Sequence, residues 1–261
     1  MTAASASPHR VPRHPHAWVW LLVLSQLLVV AVWWRWGWIP GFSSMLVSHA
    51  LFLWGTLWPH TALFGPVLNR LPTGDRAVWL TIDDGPSGDT SAILDALDVH
   101  AAKATFFVVG ERAEKHPEQV REILRRGHAI GNHSATHPAY WFWALGPRRM
   151  RREIAETQTI LTGIIGEPPR WFRAVVGMSN PFVHSALRMH GLARVAWSAR
   201  GYDGVEGDAA KVVDRIERDL APGAIVLLHE GATHGRNVET VSLLLQRLDT
   251  LGYRTILPEA L

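Results

Sequence analysis

From about Trp58 to the carboxyl end, short apolar runs alternate with amphipathic stretches, and few architectures accommodate that alternation. The runs expected as strands are residues 77–82, 104–109, 128–131, 171–173, 193–197, 224–228 and 253–257. Helices are expected near 89–101, 117–126, 148–163, 181–190, 208–220 and 237–251. Pro117 and Pro181 stand where first-turn prolines belong, and Gly127, Gly191 and Gly252 fall just past helix ends. Seven strands alternating with helices form a parallel α/β architecture. The ionisable residues keep phase with it. Asp83 and Asp84 follow the first strand, His133 and His137 the third; Arg173 ends the fourth, Asp203 comes shortly after the fifth, and His229 ends the sixth. The carboxyl ends of parallel strands share one face, where barrel enzymes place their chemistry, so one active site is expected there.

The chemistry follows from Thr81-Ile82-Asp83-Asp84-Gly85-Pro86. Val78, Leu80 and Ile82 make the preceding run a buried strand, and Gly85-Pro86 interrupt it. Neighbouring side chains on a strand point to opposite faces, so the two carboxylates converge only if the backbone turns at its end. Fifty residues on, His133-Ser134-Ala135-Thr136-His137 brings two imidazoles close. One carboxylate with two histidines gives three metal ligands and leaves positions open, a catalytic rather than a structural set. The second aspartate is then free to act as a base on an activated water. Taken singly, Asp83-Asp84 reads as a turn, the two histidines as loop residues and His229 as a buried core histidine. Their common phase favours the site. Glu230 and His234 read as loop residues.

Together these motifs resemble those of the NodB-homology polysaccharide deacetylases, carbohydrate esterase family 4. Thr81 to Pro86 match T-F-D-D-G-P, His133 to His137 match H-S/T-x-x-H, and Leu227-Leu228-His229 match L-L-H. The resemblance covers residues 60–261, about three quarters of the chain. It implies a distorted (β/α)7 barrel and metal-dependent removal of acyl groups from amino sugars. It further implies Asp83 as catalytic base, His229 as general acid, and Asp84, His133 and His137 as ligands of a divalent metal, usually zinc. Two motifs depart from the pattern. R-x-P-Y/F-G reads Arg173-Ala174-Val175-Val176-Gly177, which keeps an arginine to pair with Asp83 and a Val176 N–H for an oxyanion but lacks the sugar-stacking aromatic. W-S-x-D-x-x-D-W reads Trp197 to Gly204, with Arg200 at the first acidic position and Asp203 at the second, leaving Asp203 to support the catalytic imidazole.

The amino-terminal quarter has a different composition. Ala17 to Trp34 carries no charge, and with Trp36 to Ile39 it is long enough to cross a bilayer. Tryptophans cluster at its two ends, as in interfacial belts, and no small-residue cleavage site follows. The organisation expected is a cytoplasmic tail over 1–16, a transmembrane anchor over 17–39, an apolar linker or second membrane segment over 40–58, and the NodB-homology domain over 59–261. Residues 42–58 are expected to lie on the membrane surface or pack on the domain. The catalytic domain is then periplasmic or extracellular, at the cytoplasmic membrane. A second span would instead return it to the cytoplasm.

The chain has no cysteine, which excludes disulfides, thiolate ligands and a cysteine nucleophile. A net charge of +3 and the absence of a recognition motif argue against nucleic acid as a partner. The aromatic run 139–145 reads as a buried loop or as a greasy rim facing lipid, and Arg148 to Arg152 as a solvated face or a lipid contact. The function expected is a metal-dependent hydrolase that deacylates an amino sugar in a polysaccharide or glycolipid, with deformylation of a lipid-linked aminosugar close behind. A sugar-binding homologue without activity and a two-histidine-one-carboxylate iron oxygenase are the other readings.

Overall fold

The computed structural model describes residues 8–260. Among them are eight strands: β1 (Ala77–Gly85), β2 (Ala104–Val108), β3 (Ala129–Asn132), β4 (Trp171–Phe172), β5 (Ala193–Arg194), β6 (Ala199–Arg200), β7 (Ile225–His229) and β8 (Arg254–Thr255). They pair in the order β5-β4-β3-β2-β1-β7-β6, all parallel, and β8 pairs with the start of β1. The sheet curls into a part-closed barrel. Its open side is crossed by residues 68–71, where Leu68 bridges to Val195 and Arg70 to Ala224.

The two-residue period of β1 sorts its side chains between two cores. Val78, Leu80 and Ile82 join Phe106, Val108, Val226 and Leu228 in the cluster beneath the helices. Ala77 and Trp79 join Phe107, Trp171, Ile225 and Leu227 inside the barrel. Trp79 fills the barrel floor. Its Nε1–H donates to Thr105 Oγ1 at 2.8 Å, and its ring meets that of Trp171 edge-on with centroids 5.0 Å apart. Thr81 continues the inward face above it, and Asp83 follows, paired in register with His229 of β7. The inward residues thus change from apolar to ionisable toward the carboxyl ends of the strands.

The helices are α1 (Ala17–Trp36), α2 (Trp38–Leu57), α3 (Thr90–Val99), α4 (Gly110–Lys115), α5 (Pro117–Arg125), α6 (Pro147–Ile165), α7 (Val183–Met189), α8 (Ala209–Asp219) and α9 (Asn237–Thr250). Pro117 occupies a first-turn position as expected, whereas α7 starts beyond Pro181. The expected seventh strand, β8, lies off the main path of the sheet, and β6 takes its place. β6 is only two residues, one of them Arg200, so it has no apolar run to announce it. The strand expected over 193–197 stops at Arg194, because beyond it the backbone pairs with the Leu68 segment.

The anchor expected over 17–39 divides at Gly37, whose φ of 90° ends α1 and lets the chain reverse. Residues 38–57 then form a second helix of 20 residues that packs along the first. It lies neither flat on the domain nor extended as a linker. Its contacts with the domain come at its last turns, where Phe52 and Gly55 meet Phe64 and the Thr56 carbonyl accepts from Ser179 N–H at 2.9 Å. The segment before α1 and the first turn of α1 also lie on the domain. His9 stacks edge-on against Trp171, the Arg13 carbonyl accepts from the Arg188 guanidinium, and Trp18, in α1, packs on Phe182.

Replacing Trp79 by Ala empties the barrel floor and should cost about 3–5 kcal/mol, read from urea unfolding of the full chain. A loss below about 1 kcal/mol would contradict its placement in the floor.

Candidate active site

Both carboxylates reach one site because β1 turns sharply at its end. The pairing of β1 with β2 slips between Asp83 and Gly85, and Asp84 takes a φ of 72°, so its side chain swings to the face that Asp83 already occupies. Arg112 holds that turn by donating to the Asp84 carbonyl. Ser134, His137, Val176 and Tyr202 also have positive φ values. Such backbone strain in non-glycine residues gathers at functional sites, and here Asp84, His137, Val176 and Tyr202 line one pocket while Ser134 lies in the loop beside it.

Asp84, His133 and His137 place three ligand atoms within 4.8 Å of one another. Asp84 Oδ1 lies 3.0 Å from His137 Nε2 and 3.4 Å from His133 Nε2, yet it is buried with no hydrogen-bond partner. His133 Nδ1 lies 2.9 Å from the Arg173 carbonyl, so it carries the hydrogen and Nε2 presents a lone pair. Two imidazole lone pairs facing one unsatisfied carboxylate oxygen fit a divalent cation. Burial opposes the charge on Asp84, but the His133 and His137 imidazoles outweigh it and hold the carboxyl well below its ordinary range. Burial likewise opposes charge on His133, and Asp83 with Asp84 turn the balance, raising its pKa. A cation at this group would compete with protons for the same nitrogens.

Asp83 points elsewhere. Its Oδ1 accepts from Arg173 Nη1 at 2.7 Å, and its Oδ2 stands 3.7 Å from His133 Nε2. Arg173 is fully buried over the Phe107 ring, and it also donates to Thr81 Oγ1 at 2.7 Å and to the Ala196 carbonyl at 2.9 Å. Across the pocket, Asp203 grips His229 twice. Its Oδ1 lies 2.9 Å from the ring Nδ1, and its Oδ2 accepts the His229 backbone N–H at 2.6 Å. Nδ1 therefore carries the hydrogen, and Nε2 is left for the pocket. Burial would lower the His229 pKa, but Asp203, helped by Asp83 and Asp84, lifts it to about 9. Val176 and Gly177 contribute to the wall of the open cleft, which measures about 270 Å³.

Every site residue expected from the sequence meets here, and several supporting residues were not anticipated. Glu153 is buried beneath the histidine loop, where it accepts from Ala135 N–H, Thr136 N–H, Thr136 Oγ1 and Arg149 Nε. A carboxylate on the apolar face of α6, four residues after an arginine, was the available signal. Arg149 is accordingly tied into the site, not part of a free basic face. Glu230, read as a loop residue, is buried against Gly85 and accepts from Ser87 and Thr90 hydroxyls. Burial raises its pKa to about 6. His234 supports the Asp203 loop, with Nε2 2.7 Å from the Asp203 carbonyl.

A family model described as polysaccharide deacetylase matches residues 70–195. A chitooligosaccharide deacetylase of Sinorhizobium fredii is 35% identical over 164 residues, spanning 62% of this chain and 75% of its own length. The chain belongs to the polysaccharide deacetylase family. It is a hydrolase of carbon–nitrogen amide bonds of the carbohydrate esterase family 4 type. The crystal structure of a peptidoglycan N-acetylglucosamine deacetylase is 32% identical, superposes with a TM-score of 0.67, and covers 73% of this chain and 90% of its own. A mutant of a family 4 pseudoenzyme with restored activity is 26% identical, with a TM-score of 0.66 over 73% of this chain and 68% of its own.

The Asp203 grip predicts a titration. His229 should stay an imidazolium until pH approaches about 9, so the stability its ion pair contributes is complete below the ordinary value of 6.5 and lost as pH rises through 9. In Asp203→Asn the midpoint, followed by NMR of the imidazole, should fall toward 6.5. An unchanged midpoint would remove Asp203 as the cause.

Proposed function

We propose that this protein is a membrane-tethered, divalent-metal-dependent deacetylase of N-acylated amino sugars, acting through Asp83 and His229. The observation that carries the reading is the division of labour between adjacent aspartates. Asp84 offers an unsatisfied oxygen to two imidazole nitrogens, while Asp83 is held by Arg173. Asp84, His133 and His137 would hold the cation, with zinc the best match to two imidazoles and a carboxylate. When bound, the cation supplies Lewis acidity that polarises the amide carbonyl and acidifies water.

The chain's own residues supply the proton transfers. Arg173 fixes Oδ1 of Asp83, which leaves Oδ2 to take the proton from the attacking water. The Val176 N–H, on the cleft wall, donates to the developing oxyanion. As the carbon–nitrogen bond breaks, His229 gives its Nε2 proton to the leaving amine, and Asp203 stabilises the imidazolium until then. The products are a carboxylic acid and a free amino sugar. The iron oxygenase reading gives no task to Asp83 or His229. The intact acid–base pair argues against an inactive sugar-binding homologue, despite the altered Val175, Val176 and Arg200.

The exposed apolar helix α1 supports the membrane tether. A cytoplasmic tail with an outward-facing domain would put residues 1–16 and the domain on opposite sides of the bilayer. The packing of His9, Arg13 and Trp18 on the domain supports one side for both.

Asp83→Asn should bind metal at the parent stoichiometry and release acetate from a chito-oligosaccharide at least about 10²-fold more slowly. His133→Ala should lose both metal and activity. Acetate release by Asp83→Asn within a few-fold of the parent would remove it as the base, and full metal occupancy in His133→Ala would remove the ligand set.

A further inference from the structure

α2 is built for lipid on one face and for α1 on the other. It carries no charged residue, and Trp38, Ile39, Phe42, Leu46, Val47, Leu53 and Trp54 are exposed along it. Gly41 lies against Trp33 so closely that a Cβ there would sit 2.6 Å from the indole. Of its five hydroxyl and imidazole side chains four find partners inside the hairpin, the exposed His49 among them through Nδ1 at 2.8 Å from the Met45 carbonyl, and Ser43 faces outward. Ser48 Oγ donates to Ser25 Oγ at 3.0 Å and accepts from Gln26 Nε2 at 3.0 Å, while Ser44 and Thr56 donate to carbonyls of their own helix. Water leaves exposed polar groups free; hydrocarbon requires internal partners and close small-residue packing. Each helix has 20 residues, about 30 Å of rise, which matches the hydrocarbon thickness.

The hairpin meets the domain at the wall of the active site. Pro59, two residues beyond α2, would sit 2.7 Å from a Cβ on Gly177, and His60 packs edge-on against Trp197. Gly177 and Trp197 both line the catalytic cavity. The same stretch holds the aromatic loop, since Asn180 Nδ2 donates to the Trp143 and Leu145 carbonyls. Tyr140 is 86% and Trp141 67% exposed beside it. The cavity wall therefore packs against the residues that follow the carboxyl end of α2.

Arg200 adds a charge requirement. It lines the cavity with its guanidinium 3.8 Å from the Tyr202 ring centroid and 5.2 Å from that of Trp197. Its Nε is buried without a hydrogen-bond partner. Among the described residues no carboxylate pairs with it, and this is the position where the sequence pattern expects an acid. A stacked, uncompensated guanidinium on a cavity wall suits a phosphate oxygen. Neutral glycan polymers carry no such group, whereas sugars on lipid carriers are joined through phosphate.

We propose that α1 and α2 form a two-pass anchor that holds the catalytic mouth on the bilayer surface, where Arg200 selects an N-acylated amino sugar phosphate-linked to a membrane lipid. The proposal rests on the deacetylase reading above. Tail and domain then share one side of the membrane. The charge rule sets Arg10, Arg13, Arg70 and Arg76 against Arg35 alone at the turn, which favours the cytoplasmic face for both.

The test uses the full chain, zinc-loaded, in phospholipid vesicles. Acetate release is compared between N-acetylglucosaminyl diphospho-polyprenol in the same vesicles and a soluble neutral chito-oligosaccharide. The parent should favour the lipid-borne sugar at least about tenfold in kcat/KM, and Arg200→Gln should lose most of that preference through KM. Equal or better use of the soluble sugar by the parent, or an unchanged preference in Arg200→Gln, overturns the proposal. No acetate from either substrate overturns instead the deacetylase reading beneath it. The absence of cysteine makes the anchor separately readable with a membrane-impermeant maleimide. His14→Cys and Asp219→Cys should label from one side and Trp36→Cys from the other. Labelling of all three from one side, or of His14→Cys and Asp219→Cys from opposite sides, overturns the two-pass anchor.

Discussion

A buried guanidinium organises the catalytic end of this barrel. Arg173 reaches from the end of β4 to Thr81 and Asp83 on β1 and to the Ala196 carbonyl beyond β5, while its own carbonyl orients His133. A charge with no exposure needs a counter-charge and hydrogen bonds, and Asp83, Thr81 and the Ala196 carbonyl supply these to its two terminal nitrogens, while Nε stays unpaired. Burial pulls the Arg173 pKa down and Asp83 opposes that pull. One side chain thus fixes Asp83, the proposed base, occupies one of its two oxygens, and sets the tautomer of His133, a proposed ligand. Asp83 and Asp84 can diverge in role, although adjacent, because only one of them is held this way.

Around that centre the backbone is forced into uncommon shapes and held there by buried carboxylates. Asp84, Ser134 and His137 all depart from ordinary φ values, and each departure has a buried partner nearby. Asn132 Oδ1 accepts from Ser134 N–H, Glu153 collects two backbone donors of the histidine loop, and Glu230 packs beneath Gly85. Such geometry persists only when its surroundings over-determine it. The proposed acid–base pair sits on regular strand register, with Asp83 opposite His229, which sets their spacing independently of the loops.

Much of this was legible in the chain. The phase of ionisable residues at strand ends predicted the shared face, and the turn required after Ile82 to bring Asp83 and Asp84 together is the positive φ of Asp84. β6 escaped notice because two residues, Ala199 and Arg200, carry no hydrophobic period. Glu153 and Glu230 escaped because a buried carboxylate resembles a surface one until its donors are assembled from distant segments. The division of the anchor at Gly37 was readable in principle, but Trp36 and Trp38 on either side continued the apolar pattern through the turn. The seam that makes α2 a partner for α1 involves Ser25, Gln26 and Ser48, polar residues that lower the apparent hydropathy of the helices they join.

The central claim is that adjacent aspartates divide into a ligand and a base, and the crystal structure of the zinc-loaded chain tests it most directly. The expected result is one ion held by Nε2 of His133, Nε2 of His137 and a carboxylate oxygen of Asp84, at about 2.0–2.2 Å, with Asp83 still paired to Arg173 and its second oxygen facing the pocket. An ion ligated by Asp83, or Asp84 turned away from both histidines at full zinc occupancy, would contradict the account.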